Sequence, residues 1–309
     1  MADYSVLDRD DLSALEVSFG WAVHSVQALQ GGAANSSFRV EIDADEQSRQ
    51  VVVVTIMDNH SLSTALRLAN VTRLASEFVR TPPLLPALNG DEILSIRGKL
   101  MCVKPFVLGW HLENLSDLQL EAVGTALGAI HLVEAPAWLP EFGRRVPDKW
   151  WDFAGASVPT RLKLLLKRAA DIAKSGQGLP VGLVHGDLFL DNLLWDEYGV
   201  VTVLDWETAS RDTLVLDIGV TAVSMCRTDG ALDRQKLSSL LRGYYESRTL
   251  STEERGAVLP FAYYAAVVLC FHRYVRHNVR FPSQAKSQLW VELADFAELL
   301  EQTNELETS

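Results

Sequence analysis

The residues best suited to chemistry lie in one segment, between His185 and Asp205. His185 precedes Asp187 by two positions, Asn192 follows Asp187 by five, and Asp205 follows it by eighteen, at the end of an apolar run. An Asp can orient a hydroxyl group and accept its proton, while Asn and Asp oxygens are hard ligands of the kind Mg²⁺ prefers. Phosphoryl transfer depends on such positioning and charge stabilisation more than on covalent help from protein. The spacing therefore predicts a site for magnesium- and nucleotide-dependent phosphoryl transfer.

Each of these signals has a purely structural explanation when it is taken alone. A His-Gly-Asp tripeptide suits a turn, and an Asp often follows an apolar strand. Here the three spacings occur together around a predicted hairpin, in which strands 193–195 and 200–204 are joined by the turn 196–199. This hairpin places Asn192 and Asp205 at neighbouring strand ends, where two ligands of one metal belong.

The same segment resembles a known superfamily. The stretches HGDLFLDN (185–192) and LDWE (204–207) are similar to the catalytic motifs of the aminoglycoside phosphotransferase and choline kinase superfamily. Within it, the chain most resembles bacterial homoserine kinases of that fold. Further support comes from GGAANSSF (31–38), ALGAIHL (126–132) and ASRDTLVLDI (209–218), which are similar to other motifs of these enzymes.

The resemblance extends from about residue 25 to residue 275 and implies an α+β, two-lobed, protein-kinase-like fold. Residues 1–104 are expected to form a small antiparallel-sheet lobe that binds ATP. Residues 105–309 are expected to form a larger, mainly helical lobe that carries the catalytic hairpin and binds the substrate.

The resemblance and the chemistry together imply roles for the hairpin residues. Asp187 is expected to align the acceptor hydroxyl and take up its proton, and His185 is expected to orient the loop. Asn192 and Asp205 are expected to hold Mg²⁺. Glu207 either supports the metal or is a solvated turn residue.

Asp217 matches a carboxylate that, in the family, braces the catalytic loop from behind. The alternative is that Asp217 caps a helix N-terminus, a role that needs no catalytic partner.

The elements that must position these residues can be predicted from hydrophobic periodicity and capping signals. Helices are predicted over residues 8–19, 62–78, 116–132, 158–175, 233–248, 253–278 and 284–303. Strands are predicted over residues 23–29, 37–42, 50–57, 92–96 and 99–103, with a polar turn over 43–49. The first hundred residues are thus rich in strands and the rest is mainly helical.

A glycine-containing loop is the first candidate for nucleotide binding. Gly31 and Gly32 let backbone N–H groups approach phosphate oxygens, and Asn35, Ser36 and Ser37 add side-chain donors. The alternative is an ordinary hairpin turn, which glycines also serve.

The third predicted strand lacks the Lys that kinases usually place there to bind phosphates. Residues 51–57 read VVVVTIM, and the helix region 61–76 contains no acidic partner for such a Lys. Thr55, the glycine loop, Arg67 or Arg73 could share this role. A nucleotide-binding pseudokinase without turnover therefore stays open as an alternative.

Two further segments concern the ligands. The linker containing Lys104 and Phe106 is the expected hinge between lobes, whose backbone groups would pair with the nucleotide base.

The late helix carries Arg273 and Arg276, and either could clamp a substrate carboxylate. The motif matches to homoserine kinases, together with this basic helix, make homoserine the leading substrate, with an amino alcohol, a hydroxylated amine or an aminoglycoside antibiotic as the alternative. The two arginines could instead only cover a helix end.

Composition limits the other possibilities. A net charge of -12 argues against a nucleic-acid partner, and three cysteines far apart in sequence are typical of buried thiols in a reducing compartment. Residues 1–11 show no basic-then-apolar targeting signal, and the longest apolar run, 257–271, is short for a membrane span. We therefore expect a cytoplasmic protein without a membrane partner.

Overall fold

The computed structural model divides the chain into two compact units, Met1–Gly109 and Trp110–Ser309. It describes residues 5–29, 35–45, 48–143, 145 and 158–308. The predicted boundary after residue 104 falls five positions before the observed one. The reason is local, since the Phe106 N–H donates to Val51 O at 3.1 Å and ties the predicted linker to the first unit.

The first unit is built on one antiparallel sheet. Its elements are α1 (Arg9–Phe19), β1 (Ala22–Ala28), β2 (Ser36–Asp45), β3 (Ser48–Ile56), α2 (Leu62–Ser76), β4 (Leu94–Ile96) and β5 (Lys99–Pro105). The strand order is β1-β2-β3-β5-β4. This arrangement confirms the predicted antiparallel α+β character of the first hundred residues.

Alternation along the central strands separates two faces of this sheet. One face forms the core of the unit and consists of apolar residues: Phe38, Val40, Ile42, Val52, Val54, Ile56, Met101 and Val103. On the other face, Arg39 of β2 and Lys104 of β5 both pair in register with Val53 of β3. Two cations therefore lie on the face opposite the core.

The predicted polar turn over 43–49 is too long. The strands β2 and β3 continue to Asp45 and from Ser48, and Asp43 pairs with Arg49 across the ladder, with 3.5 Å between Oδ1 and Nε. Arg49 is exposed and Asp43 half-buried, so polar residues can occupy paired positions of these strands. At Asp43 and Arg49, polarity therefore marked contact with solvent and not the limits of the turn.

The second unit is mainly helical with short antiparallel strand pairs. Its elements are α3 (Asp117–Ile130), α4 (Thr160–Ser175), β6 (Val181–Val184), β7 (Leu193–Trp195), β8 (Val201–Val203), β9 (Ser210–Thr213), α5 (Leu214–Met225), β10 (Arg227–Thr228), β11 (Ala231–Leu232), α6 (Arg234–Ser247), α7 (Thr252–Tyr274) and α8 (Val291–Thr308). The strand pairs are β6–β9, β7–β8 and β10–β11. A π-helical turn, Val275–Arg280, follows α7.

Side-chain caps fix where several helices begin. Ser116 caps α3 and Asp233 caps α6, each accepting a hydrogen bond from a backbone N–H in the first turn. Ser251 caps α7 in a reciprocal box with Glu254. The predicted starts of these three helices therefore lie within two residues of the observed ones.

Helix α5 has no counterpart among the predicted elements. Eleven of its twelve residues are buried, because the helix crosses the interior and packs against α7. A helix that is apolar on all sides has no amphipathic period to detect.

Helix α8 begins at Val291, seven residues after the predicted start at 284. The intervening segment forms turns in which the N–H of one residue donates to the carbonyl oxygen three positions earlier. Examples are Lys286 N to Ser283 O at 3.0 Å and Leu289 N to Lys286 O at 3.2 Å. Such turns keep a helix-like spacing of apolar residues without forming an α-helix.

Helix α7 and its π-helical turn are longer than the apolar run that the sequence shows. Together they span Thr252–Arg280, which is long and apolar enough to cross a membrane by length and composition alone. Of the residues in its most apolar stretch, 78% are buried inside the protein. Because α7 packs against α4, α5 and α8, that burial is the packing of a core helix.

Two glycines let α3 and α6 approach closely. A Cβ atom on Gly124 would lie 2.0 Å from Leu240 O, and one on Gly243 would lie 1.9 Å from Glu121 O. Any side chain there would force the helices apart. This close contact determines where the C-terminus of α3 and the middle of α6 lie.

We predict that Gly124→Ala and Gly243→Ala each lower the free energy of unfolding by about 2 kcal/mol or more, because overpacking a close helix contact is costly. Gly256→Ala is the matched control, since a Cβ on this α7 residue would meet nothing within 4 Å. The control should be neutral or stabilising by up to about 1 kcal/mol, since Ala favours helix over Gly. Denaturant unfolding of the three variants measures this, and equal effects would contradict the close packing.

Candidate active site

The catalytic loop, residues 185–192, joins β6 to β7. It turns at Gly186, whose φ of 77° lies in the left-handed region that favours glycine. The loop closes through hydrogen bonds from Phe189 N to Asp187 O at 2.9 Å and from Asn192 N to Phe189 O at 3.0 Å. Asp187, half-buried, therefore sits on a tight turn whose backbone is internally bonded.

His185 connects this loop to the strand that returns beside it. Its Nε2 lies 2.9 Å from Leu204 O, and its Nδ1 accepts the Asp187 N–H at 3.3 Å. Because a carbonyl oxygen only accepts, the proton resides on Nε2 and the ring is the neutral tautomer. The ring is fully buried and lies 4.8 Å from that of Trp206. Both nitrogens are thus engaged in holding the loop.

Asn192 is fixed by both its side chain and its backbone. Its Nδ2 donates to Asp187 O at 2.7 Å, and its carbonyl oxygen accepts the Leu204 N–H at 2.9 Å. Since the amide nitrogen faces a carbonyl, Oδ1 is the side-chain atom able to ligate a cation. The β7–β8 pairing therefore brings Asn192 beside the residue that precedes Asp205, as the predicted hairpin requires.

Asp205 adopts a left-handed backbone conformation with φ of 60°. A non-glycine residue rarely does so, and Asp and Asn tolerate it best. The chain turns directly after it, and the Glu207 N–H donates to Asp205 Oδ1 at 3.3 Å. The segment 205–207 therefore turns, and the backbone of Glu207 contacts the Asp205 carboxylate.

Negative charge accumulates around Asp205. The pKa of its carboxyl is raised above the ordinary value, first by desolvation and then by the charges of Glu207 and Asp187. The side chain itself reaches solvent. A carboxylate in such surroundings favours a cation.

The oxygen donors of the loop fit Mg²⁺ on chemical grounds. Asn192 and Asp205 offer hard oxygens in a negatively charged setting, and Glu207 adds a third within the same turn. Within the described part of the chain, no three His, Cys, Asp or Glu side chains are grouped closely enough to form a complete metal site. Few protein ligands are typical of a magnesium ion that completes its shell with phosphate oxygens and water.

Asp217 lies in the first turn of α5 and is completely buried. Its Oδ2 accepts the His185 N–H at 2.6 Å and its Oδ1 accepts the Gly186 N–H at 2.8 Å. Burial alone would raise the pKa of this carboxyl, but the hydrogen bonds that it accepts, from the His131 side chain and from the Gly186 N–H, outweigh burial and hold the pKa below its usual range. The carboxylate therefore contacts the loop from behind and does not cap its own helix.

The predicted nucleotide residues of the first unit divide between the two faces of its sheet. Ser36 is buried on the core side, where its hydroxyl donates to Asp58 Oδ2 at 2.7 Å. Ser37 and Thr55 lie on the other side, with their hydroxyl oxygens 3.1 Å apart. Gly31 and Gly32 lie outside the described residues. Asn35 directly precedes β2, so the start of that strand continues from the predicted phosphate loop.

The strand β3 carries no Lys, as its sequence requires, and the basic residues proposed to replace it occupy α2. Arg73 is bonded to Asn70 and lies 3.8 Å from Glu92 between Nε and Oε1. Arg67 lies six residues earlier on the same helix.

The linker residues are held by the sheet more firmly than the sequence indicates. Lys104 belongs to β5, and the Phe106 N–H is taken up by Val51 O. The Arg39 guanidinium lies 5.6 Å from the centre of the Phe106 ring. Base binding by this segment stays a prediction and would have to use other backbone atoms.

Arg273 and Arg276 lie at the end of α7 and in its π-helical turn. Arg273 donates to Leu289 O at 3.2 Å and lies 3.7 Å from the Glu292 carboxylate. These contacts join it to the segment around the start of α8. Arg276 is exposed.

Sequence reasoning missed the partners of two buried carboxylates. Arg145 forms a bidentate pair with Asp212, with its closest contact at 2.6 Å, and so fastens the segment before it beside β9. His131 faces Asp217, with 3.4 Å between Nε2 and Oδ2. The sequence does show a charged residue within an apolar stretch at each position. Such a pattern indicates that the buried carboxylate has a partner, but it does not identify the partner.

Solved structures of known proteins share this architecture. A microcompartment-associated aminopropanol kinase matches with a TM-score of 0.71 and 17% identity over 94% of this chain and 96% of that one. A spectinomycin phosphotransferase in complex with ADP and spectinomycin matches with a TM-score of 0.66 and 15% identity over 94% and 97%. The chain thus has the protein-kinase-like fold, as predicted.

The sequence model of the phosphotransferase enzyme family matches residues 25–250. The chain belongs to that family, which confirms the resemblance seen in its motifs. It is a small-molecule phosphotransferase with a hydroxyl group as acceptor.

Curated relatives are homoserine kinases. The enzyme of Phenylobacterium zucineum is 27% identical over 284 residues, covering 86% of this chain and 85% of that protein. Those of Cupriavidus taiwanensis, with 27% identity over 82% and 81%, and of Pseudomonas aeruginosa, with 25% identity over 82% of each chain, are similar to a comparable extent.

We predict that Asp205→Asn stabilises the ligand-free protein at neutral pH. A carboxyl whose pKa is raised on folding destabilises the folded state above that pKa, and the effect disappears below the ordinary pKa of Asp, where both states are protonated. The gain in denaturant midpoint should therefore shrink as pH falls.

Asp229→Asn is the matched control, because Asp229 is exposed and has a similar left-handed φ of 50°. It isolates the preference of Asn for that conformation. Equal, pH-independent gains in both variants would show that the charge around Asp205 does not affect stability.

Proposed function

We propose that this protein transfers the γ-phosphoryl group of ATP to the hydroxyl of a small amino acid or amino alcohol, with homoserine the leading acceptor. The observation that carries the proposal is the arrangement of the catalytic loop and the adjacent hairpin, in which Asp187 lies on a tight turn and Asn192 and Asp205 lie near the paired ends of β7 and β8. Bound Mg²⁺, held through Asn192 and Asp205, would neutralise charge on the phosphates.

The geometry of the catalytic loop supports a catalytic role for Asp187. Its carboxylate projects from a turn whose own N–H is held by His185, so its backbone is fixed before substrate binds. A phosphoryl transfer with a loose transition state gains more from such alignment of the hydroxyl than from a strong base. We assign Asp187 the alignment of the acceptor and the late uptake of its proton.

His185 supports this role from within the loop. Because its Nδ1 and Nε2 both hold backbone groups, it positions Asp187 and exchanges no proton with the substrate. Asp217 adds the second support, through the N–H groups of His185 and Gly186.

The acceptor is inferred from the relatives and from charge. The similarity to homoserine kinases over more than four-fifths of this chain favours an acceptor with an amino and a carboxyl group. Arg276 is the better candidate for the carboxylate, since Arg273 already donates to Leu289 O. The aminopropanol kinase fold supports amino alcohols as the next class.

Two alternatives have specific support. An antibiotic acceptor is favoured by the similarity to the spectinomycin phosphotransferase, although that similarity concerns the fold. A nucleotide-binding protein without turnover is favoured by the absence of Lys from β3, Ser48–Ile56. The combination of Asp187 with Asn192 and Asp205 argues against the latter, because a protein without turnover has no use for a carboxylate that aligns an acceptor beside a cation site.

The first prediction concerns turnover. Asp187→Asn should lower kcat by about 10²-fold or more while the affinity for Mg·ADP changes less than about 3-fold, since alignment of the acceptor is lost and nucleotide contacts remain. Asp191→Asn, an exposed carboxylate in the same loop, is the matched control and should keep nearly full activity.

Turnover is measured as ATP consumption with homoserine, other hydroxy amino acids, amino alcohols and aminoglycosides as acceptors. Preference for homoserine supports the proposal, and turnover with an antibiotic alone supports the first alternative. If no acceptor is phosphorylated although Mg·ADP binds, the pseudokinase alternative gains the support.

The second prediction decides the role of Glu207. After burial, the Glu207 charge is the largest cause of the raised pKa of Asp205. If Glu207 acts only through that charge, Glu207→Gln should lower the pH below which Mg²⁺ affinity is lost. The Mg²⁺ affinity near neutral pH should then stay almost unchanged. If Glu207 ligates the metal, the Mg²⁺ affinity of the variant should fall at every pH.

A further inference from the structure

A chain of buried polar side chains continues from Asp217 away from the catalytic loop. His131 lies with Nε2 3.4 Å from Asp217 Oδ2 and with Nδ1 2.8 Å from the Tyr244 hydroxyl. Arg248 donates to the same hydroxyl from Nη1 at 3.0 Å, and its Nη2 lies 2.8 Å from Glu254 Oε1. The side chains of His131, Asp217, Tyr244 and Glu254 are buried almost completely.

The hydrogen bonds of this chain run in one direction. Arg248 can only donate, so the Tyr244 oxygen accepts from it. In the neutral His131 ring, the single hydroxyl hydrogen of Tyr244 is directed to Nδ1, and the ring proton lies on Nε2, facing the Asp217 carboxylate. Tyr244 and His131 therefore each donate to the next side chain, and Asp217 in turn accepts two N–H groups of the catalytic loop.

The chain also joins separate helices to the loop. His131 directly follows α3, Tyr244 lies on α6, Arg248 follows α6, and Glu254 lies in the first turn of α7. The glycine contact between α3 and α6 brings the first two together. Helices that contain none of the loop residues are thus connected to its supporting carboxylate.

Packing alone does not explain the Tyr244 hydroxyl. A phenylalanine would fill the same space without an oxygen that must be removed from water, and burying polar groups is costly unless each one is bonded. Burial raises the pKa of Tyr244 to about 12, so the group remains a neutral phenol with a hydrogen to donate.

We propose that Tyr244 is a positioning residue for phosphoryl transfer. Its hydroxyl keeps His131 in the tautomer that carries the proton on Nε2, and this N–H orients the Asp217 carboxylate that holds the catalytic loop. Arg248, itself paired with Glu254, keeps the hydroxyl hydrogen pointed towards His131. The inference rests on the proposed role of the loop in phosphoryl transfer and extends it to residues that do not touch the substrate.

The test compares Tyr244→Phe with Tyr245→Phe in the full-length protein. Tyr245 is the next residue on α6 and is 40% exposed, so it controls for the loss of a hydroxyl from the same helix. Ring-nitrogen NMR of His131 reports its tautomer and hydrogen bonding, and the amide signals of His185 and Gly186 report the loop. Both are read without substrate.

Tyr244→Phe should shift the His131 Nδ1 signal to that of a nitrogen without a hydrogen bond and perturb both loop amides, whereas Tyr245→Phe should change neither. With the acceptor identified in the ATP-consumption assay, kcat of Tyr244→Phe should fall about 10-fold. The KM values for ATP and acceptor should change less than about 3-fold, because alignment is lost and binding contacts remain.

Unchanged His131 or loop signals in Tyr244→Phe would overturn the inference, and so would a kcat equal to that of Tyr245→Phe. A wild-type protein that phosphorylates no acceptor would defeat the proposed function alone, because the spectra still decide whether Tyr244 sets the tautomer of His131 and the state of the loop.

Discussion

The carboxylate of Asp217 accepts the N–H groups of His185 and Gly186, and the geometry of the catalytic loop depends on these two hydrogen bonds. Buried backbone donors must be satisfied, and a charged acceptor satisfies them strongly. The position of Asp217 in the first turn of α5 adds the favourable end of the helix dipole. One buried charge thereby fixes the backbone that precedes Asp187, and the loop does not have to be ordered by its ligands.

The support from Asp217 matters because the charges around Asp205, near the other end of the site, oppose folding. Asp205 occupies a left-handed conformation with Glu207 folded back beside it, and its pKa is raised. Both features oppose folding and both suit a cation site. The site therefore shows a common relation between stability and function, in which groups arranged for a ligand destabilise the protein that lacks it.

Local patterns were sufficient to predict the hairpin and much of the sheet. The β7–β8 turn, the helix starts near Ser116 and Asp233, and the alternation in β2 are all encoded within a few residues. Contacts between distant residues were not predictable in this way: His131 meets Asp217 across 86 positions, and Arg145 meets Asp212 across 67. Helix α5 was missed for a different reason, since a helix buried on all sides shows no helical repeat of apolar and polar residues. Spacing identified the chemistry, whereas the supporting contacts needed the structure.

The most direct test of this account is amide hydrogen exchange of His185 and Gly186 in the wild-type protein and in Asp217→Asn. We expect both amides to exchange slowly in the wild type without ligands. In the variant they should exchange at least about 10²-fold faster, while the Leu204 amide, which is bonded to Asn192 O, changes far less. Fast exchange in the wild type, or equal rates in both proteins, would contradict the claim that the Asp217 carboxylate holds the catalytic loop.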